Sequence, residues 1–193
     1  MKTQLVFLLG ESNVGKDTVG SMFIKHGYTR VSFADLVKEE YAKLNNVPLE
    51  HLHESGEMKE KHRPGIIQHA EAKRAIDPYY WLDKAFEPYL TSDKNFKPNL
   101  KLVITDCRRF SEIDWIYLKK NLALIDPNFD IKLFHIRNPR TTDTDPLTHF
   151  AIGYAYGCNV DPDITMIDGI IMNDSTKEDL VEKVEKCIEV NSL

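Results

Sequence analysis

The stretch Gly10-Glu-Ser-Asn-Val-Gly15-Lys16 restricts this chain more than any other. Before it stands Leu5-Val-Phe-Leu-Leu9, a continuous apolar run that reads as a buried parallel strand. After it, Lys16 to His26 reads as a helix. Val19, Met22 and Phe23 recur at helical spacing there, and Gly27 is placed to end it. Two glycines and a lysine in G-x-x-x-x-G-K spacing let main-chain N–H groups turn inward around a phosphate. The helix presents its positive N-terminal end to the same anion. Gly10, Asn13, Val14, Gly15, Lys16, Asp17 and Thr18 are therefore candidate nucleotide-binding residues. Lys16 reads as an exposed loop lysine with few core contacts.

The rest of the chain repeats the alternation. Tyr28–Phe33 reads as a second strand, Lys101–Thr105 as a third, Asp130–Ile136 as a fourth and Gly169–Asn173 as a fifth. Between them, 34–90 is helical and charged, cut into segments by Pro48, Pro64, Pro78 and Pro88. Residues 93–99 read as a loop. Ser111–Leu118 reads as a helix with Ile113, Trp115 and Ile116 inward, and 137–162 as irregular. Ser175 with Glu178 reads as a capping box for a last helix, whose Leu180, Val184 and Ile188 share a face. This order predicts a single α/β domain with a largely parallel five-stranded sheet flanked by helices. The core is 1–33 and 100–193, with a helical insertion at about 34–90 and an irregular segment at about 137–162. Ligands then belong at the carboxyl ends of the strands.

Where the G-x-x-x-x-G-K pattern usually continues with Ser or Thr to hold Mg²⁺, this chain has Asp17, with Thr18 next. A carboxylate also suits Mg²⁺. Asp106 ends the third strand and suits the same ion, so Asp17 and Asp106 are the candidate metal residues. Transfer between two phosphorylated reactants needs further cations. Arg108 and Arg109 directly follow Asp106, and arginine binds phosphate oxygens bidentately. Lys38, Lys59, Arg63, Arg74, Arg137 and Arg140 complete the set. The plain alternative for most of them is a solvated helix charge in an exposed pair worth tenths of a kcal/mol.

Composition restricts the partners. A net charge of −5 argues against a nucleic-acid polymer as partner. Leu5–Leu9 is too short for a signal peptide, no stretch reaches membrane-spanning length, and Cys107, Cys158 and Cys187 form no disulfide framework. A cytoplasmic monomer or homodimer is expected.

Four segments carry a family resemblance. They are Gly15-Lys16-Asp17, Phe33-Ala-Asp-Leu-Val-Lys38-Glu39, Thr105-Asp106-Cys-Arg108-Arg109 and Asp168-Gly-Ile-Ile-Met-Asn173-Asp174. Together they resemble P-loop kinases of two groups, the phage-type deoxynucleoside monophosphate kinases and the animal-type phosphomevalonate kinases. The middle segment, with Met58-Lys59-Glu60-Lys-His-Arg63 and Glu71-Ala-Lys73-Arg74-Ala-Ile-Asp77-Pro78, is especially similar to the second. The resemblance implies the P-loop NTPase fold, ATP and Mg²⁺ as cofactors, and transfer of the γ-phosphoryl group to the phosphate of a small acceptor. It implies catalytic roles for Lys16, Asp17, Arg108, Arg109 and Lys38. It implies acceptor contacts by Lys38, Lys59, Arg63, Arg74 and Arg108, and lid contacts to ATP by Arg137 and Arg140. Glu11 in the loop and the segment 141–159 depart from both groups. Tyr79-Tyr80-Trp81 offers either a stacking face for a nucleobase or core aromatics. The expected acceptor is a (deoxy)nucleoside monophosphate, with phosphomevalonate as the alternative and a non-catalytic ATP-binding regulator as the rival.

Overall fold

A computed structural model describes residues 3–53, 56–90, 100–123, 129–142, 145–157 and 166–193. The elements, in chain order, are β1 (Thr3–Leu9), α1 (Lys16–Lys25), β2 (Thr29–Val31), α2 (Phe33–Asn45), α3 (Glu50–His53), α4 (Glu57–Ile76), α5 (Tyr80–Leu90), β3 (Lys101–Cys107), α6 (Phe110–Ala123), β4 (Phe129–Arg137), α7 (Pro146–Ala155), β5 (Gly169–Met172) and α8 (Lys177–Val190). They form two compact units, Met1–Val31 with Phe96–Leu193, and Ser32–Asn95.

The first unit is built on a five-stranded sheet in the order β2-β3-β1-β4-β5, with every neighbouring pair parallel. β1 lies at its centre, and Val6, Phe7, Leu8 and Leu9 are fully buried. Alternation along the strand divides them between two layers. Val6 and Leu8 join Val19, Met22 and Phe23 of α1 and Leu180, Val184 and Ile188 of α8 in one core. Phe7 faces the other way, its ring centroid 6.0 Å from that of Trp115 on α6. Ile113, Trp115 and Ile116 are buried as their spacing predicts.

The second unit is helical. Its aromatic residues are core: Trp81 is buried, and its indole N–H donates to the Ala70 carbonyl. The Tyr80 hydroxyl donates to Glu40, which also accepts from Lys84 and pairs with His69 and Lys73. Glu40 thus ties α2, α4 and α5 together.

Several local expectations are corrected. β3 runs two residues further than its apolar core, so Asp106 is a strand residue rather than the one after it. Pro64 and Pro88 lie inside α4 and α5 and do not end them. Pro64 and Glu60, whose carbonyl loses its partner, are both exposed, so that carbonyl is open to solvent. α8 is capped by Thr176, which accepts from the Asp179 N–H; Ser175 bonds the Asp179 carboxylate instead. Residues 146–155, read as irregular, form α7. Asp145 caps it by accepting from the Leu147 N–H, and Pro146 occupies its first turn. The loop expected at 93–99 and Cys158 lie outside the described residues. Among the described residues, no helix is long and apolar enough to cross a membrane.

Candidate active site

The turn after β1 is shaped by two close backbone approaches. Gly10 has φ 154°, and a Cβ there would stand 2.5 Å from the Ile136 carbonyl oxygen of β4. Gly15 has φ 99°, and its Cβ would stand 2.4 Å from the Asn173 side-chain nitrogen. No side chain fits at either position. Asn13 takes a left-handed φ of 61°, and Val14 is buried and anchors the turn in the core.

Lys16 is buried, not an exposed loop lysine. Its ammonium donates to the Gly10 carbonyl at 2.7 Å and the Glu11 carbonyl at 2.5 Å. Burial, and next the charge of Arg108, hold its pKa below the usual lysine value, against the pull of Cys107, Asp106 and Asp17. A cation that is desolvated and beside a second cation is poised to gain an anion. Arg108 donates to the Ser12 hydroxyl at 3.2 Å, so it too is held against the turn. The main chain at Arg108 and Arg109 is fixed by buried Glu112, whose carboxylate accepts both N–H groups, at 2.7 and 2.8 Å. The Arg109 guanidinium lies 3.8 Å from Asp145 at the start of α7.

The carboxylates expected to hold Mg²⁺ differ in setting. Asp106 is half-buried, and its charge acts on Lys16. The Asp17 side chain is 81% exposed and 3.6 Å from Arg30. Thr18 is exposed. Among the described residues, no three His, Cys, Asp or Glu gather into a metal cage. Two carboxylates near the loop lysine fit an ion that takes its remaining ligands from substrate phosphates and water.

Glu11, the acidic residue in the loop, is half-buried, and its carboxylate is 2.9 Å from His149 of α7. Arg137 is exposed at the end of β4. Arg140 donates to the Asp174 carbonyl at 3.3 Å. In the helical unit, Lys38 pairs with Asp35, Arg63 with Glu60 and Arg74 with Glu71, all at i,i+3 spacing. Lys59, Arg63 and Arg74 fall within an arc of about 60° on α4 at 100° per residue.

Two contributors escape a reading of the sequence. Asn173 donates to the Val14 carbonyl, and Glu112 holds the arginine pair. Glu112 has a detectable signal, since an acid three residues into a helix commonly reaches back to its start. Asn173 stands in a segment that carries the resemblance, but nothing local points to its partner 159 residues away.

The sequence model of the phosphomevalonate kinase family matches residues 8–121, which span the loop, the whole helical unit and Asp106–Arg109. The chain belongs to the phosphomevalonate kinase family. It is accordingly a P-loop, ATP-dependent phosphotransferase. Dephospho-CoA kinase from Campylobacter jejuni has a similar fold, with 15% identity, TM-score 0.52 and 97% of each chain covered. Shikimate kinase from Aquifex aeolicus vf5 aligns over 97% of this chain and 98% of its own, with 16% identity and TM-score 0.46. No curated protein matches the chain. The phosphomevalonate kinase match stops at 121, before β4, α7 and β5.

Proposed function

We propose that this kinase transfers the γ-phosphoryl group of ATP to the phosphate of phosphomevalonate. An acceptor phosphate oxygen attacks the γ-phosphorus, the bond to the β,γ-bridging oxygen breaks, and ADP leaves. Lys16 and the amides of Gly10–Thr18 hold the terminal phosphates. Arg108 neutralises charge as it moves onto the transferring group, and Arg109 acts beside it. Lys38, Lys59, Arg63 and Arg74 bind the anionic groups of the acceptor, and Arg137 and Arg140 bind ATP. Asp106 and Asp17, or Thr18 in its place, hold Mg²⁺, which neutralises polyphosphate charge when bound.

The observation that carries this reading is the buried Lys16 ammonium beside Arg108 in a turn whose glycines exclude side chains. The family match supports phosphomevalonate over the expected nucleotide acceptor. So does the core position of Trp81, and the Tyr80 ring already carries the Lys73 ammonium 4.7 Å from its centroid. Glu11, which departs from both kinase groups, is paired with His149.

ADP release should be measured with ATP and Mg²⁺ against phosphomevalonate and a panel of nucleoside monophosphates. Turnover is expected with phosphomevalonate. Turnover with a nucleotide alone would replace the acceptor, and turnover with none would remove the kinase reading.

A further inference from the structure

Glu11 stands between the two loop glycines, and both its main chain and its side chain are engaged. Its main-chain carbonyl accepts from the Lys16 ammonium at 2.5 Å. Its carboxylate Oε1 lies 2.9 Å from Nε2 of His149. An ionised carboxylate only accepts, so the imidazole N–H donates. One residue thus joins the loop ammonium to a helix 138 positions further along the chain.

An acidic side chain in this place opposes the work of the loop. ATP brings several negative charges to a turn whose amides, helix end and lysine are arranged for anions. A carboxylate there repels the polyphosphate unless a neighbour offsets it. Arg137 lines the same cavity as Glu11 and His149, so a Glu11 that has lost its partner also competes with ATP for that cation.

The helix that presents His149 has its own supports. Asp145 caps α7 and also accepts from the Thr148 hydroxyl at 2.8 Å. Thr148 and Ala151 are buried. Phe110 of α6 packs against Phe150 and Tyr154, with ring centroids 5.5 and 4.7 Å apart. For stability alone the Glu11–His149 pair is worth little, because the His149 side chain is 48% exposed. Its consequence is for the ligand.

We propose that His149 is a positioning residue for ATP binding, acting through Glu11: by donating to that carboxylate it offsets and restrains a negative charge that would otherwise face the polyphosphate. This rests on the phosphate-loop reading given above. Glu11 and His149 then work as a pair, and either one alone changes how ATP is held.

The pair makes a prediction of sign that a supporting contact does not. Calorimetry with ATP and steady-state kinetics at varied ATP should compare wild type, His149→Ala, Glu11→Gln, the double variant and Lys16→Ala, with Tm read for each. Alanine is a better helix former than histidine, so α7 persists in His149→Ala. That variant should bind ATP about fivefold more weakly and raise KM for ATP, with a smaller change in kcat. Glu11→Gln should tighten ATP by about twofold, since it removes the charge. The double variant should recover the affinity of Glu11→Gln, because His149 has nothing left to offset. A double variant as weak as His149→Ala overturns the proposal, and so does an ATP affinity that His149→Ala leaves unchanged. Weaker binding in Glu11→Gln overturns it too, since the carboxylate would then be an asset. If Lys16→Ala binds ATP as wild type does, the loop reading falls and the pair with it. If Lys16→Ala weakens ATP and His149→Ala does not, the pair falls alone.

Discussion

The side-chain amide of Asn173 donates to the Val14 carbonyl across 2.9 Å and closes the phosphate loop against the end of β5. The same nitrogen occupies the place a Gly15 side chain would need. The loop is therefore held by a residue that lies outside it in the sequence. Asn173→Asp replaces that donor with an acceptor facing a carbonyl. It should raise KM for ATP by about tenfold through loss of the bond and the new repulsion, with a smaller effect on kcat. Steady-state kinetics at varied ATP checks this. Equal KM values would show that the loop needs no such clamp.

Gly20 brings α1 against β3. A Cβ there would meet Thr105 Cγ2 at 2.4 Å, with Leu8 Cδ1 also near. Gly20→Ala should destabilise by about 1–3 kcal/mol despite the better helix propensity of alanine. Adding Thr105→Ser removes the clashing methyl and should restore much of the loss. Denaturant titration of the two variants and their double tests the coupling.

Lys16 carries a pKa below its ordinary value, so the folded state disfavours its charge. The unfolded chain binds that proton more tightly. Its penalty on stability is thus fully present below the folded pKa and disappears as pH rises through the ordinary lysine range. Lys16→Met should abolish turnover, by at least about 10²–10³-fold, while Tm at neutral pH holds or rises. A fall of many degrees in Tm would mean that the bonds to Gly10 and Glu11 outweigh the burial penalty.

The two arginines after Asp106 should separate. Arg108→Lys keeps a charge near Lys16 but loses the fork that reaches Ser12. We expect kcat to fall by about 10²-fold. Arg109→Lys, at the Asp145 end of α7, should cost less in kcat and more in Tm. Reversal of that order would exchange their roles.

Glu40 in the helical unit is pushed up by burial, but hydrogen bonds from Lys84, Tyr80 and Lys73 outweigh this and set its pKa at about 2. A carboxylate with a depressed folded pKa contributes stability above its unfolded value, and that stability is lost as pH falls toward 2. Glu40→Gln should lower Tm by about 5 °C at neutral pH and flatten the acid limb of the stability profile. Thermal melts across the acid range decide it.

The order of elements was legible because β1 and the loop announce themselves locally. Leu5–Leu9 is continuously apolar, and the glycines stand on either side of a turn that nothing else builds. The inward faces of α1, α6 and α8 followed from spacing in the same way. What stayed hidden depended on distance in the sequence. Asn173 meets Val14 and Glu11 meets His149 only after the sheet has formed. α7 was a different kind of miss. Pro139, Pro146, Gly153 and Gly157 read as breakers, although Pro146 after Asp145 is placed where a proline starts a helix. Lys16 looked exposed because its buried surroundings come from distant strands.

Because four donors converge on Glu40, α2, α4 and α5 cannot turn independently of one another. The cations projecting from α2 and α4 therefore keep a fixed spacing along their helices. Any acceptor preference they express is written in side-chain length and number, and an exchange such as arginine for lysine retunes it where a shifted helix cannot.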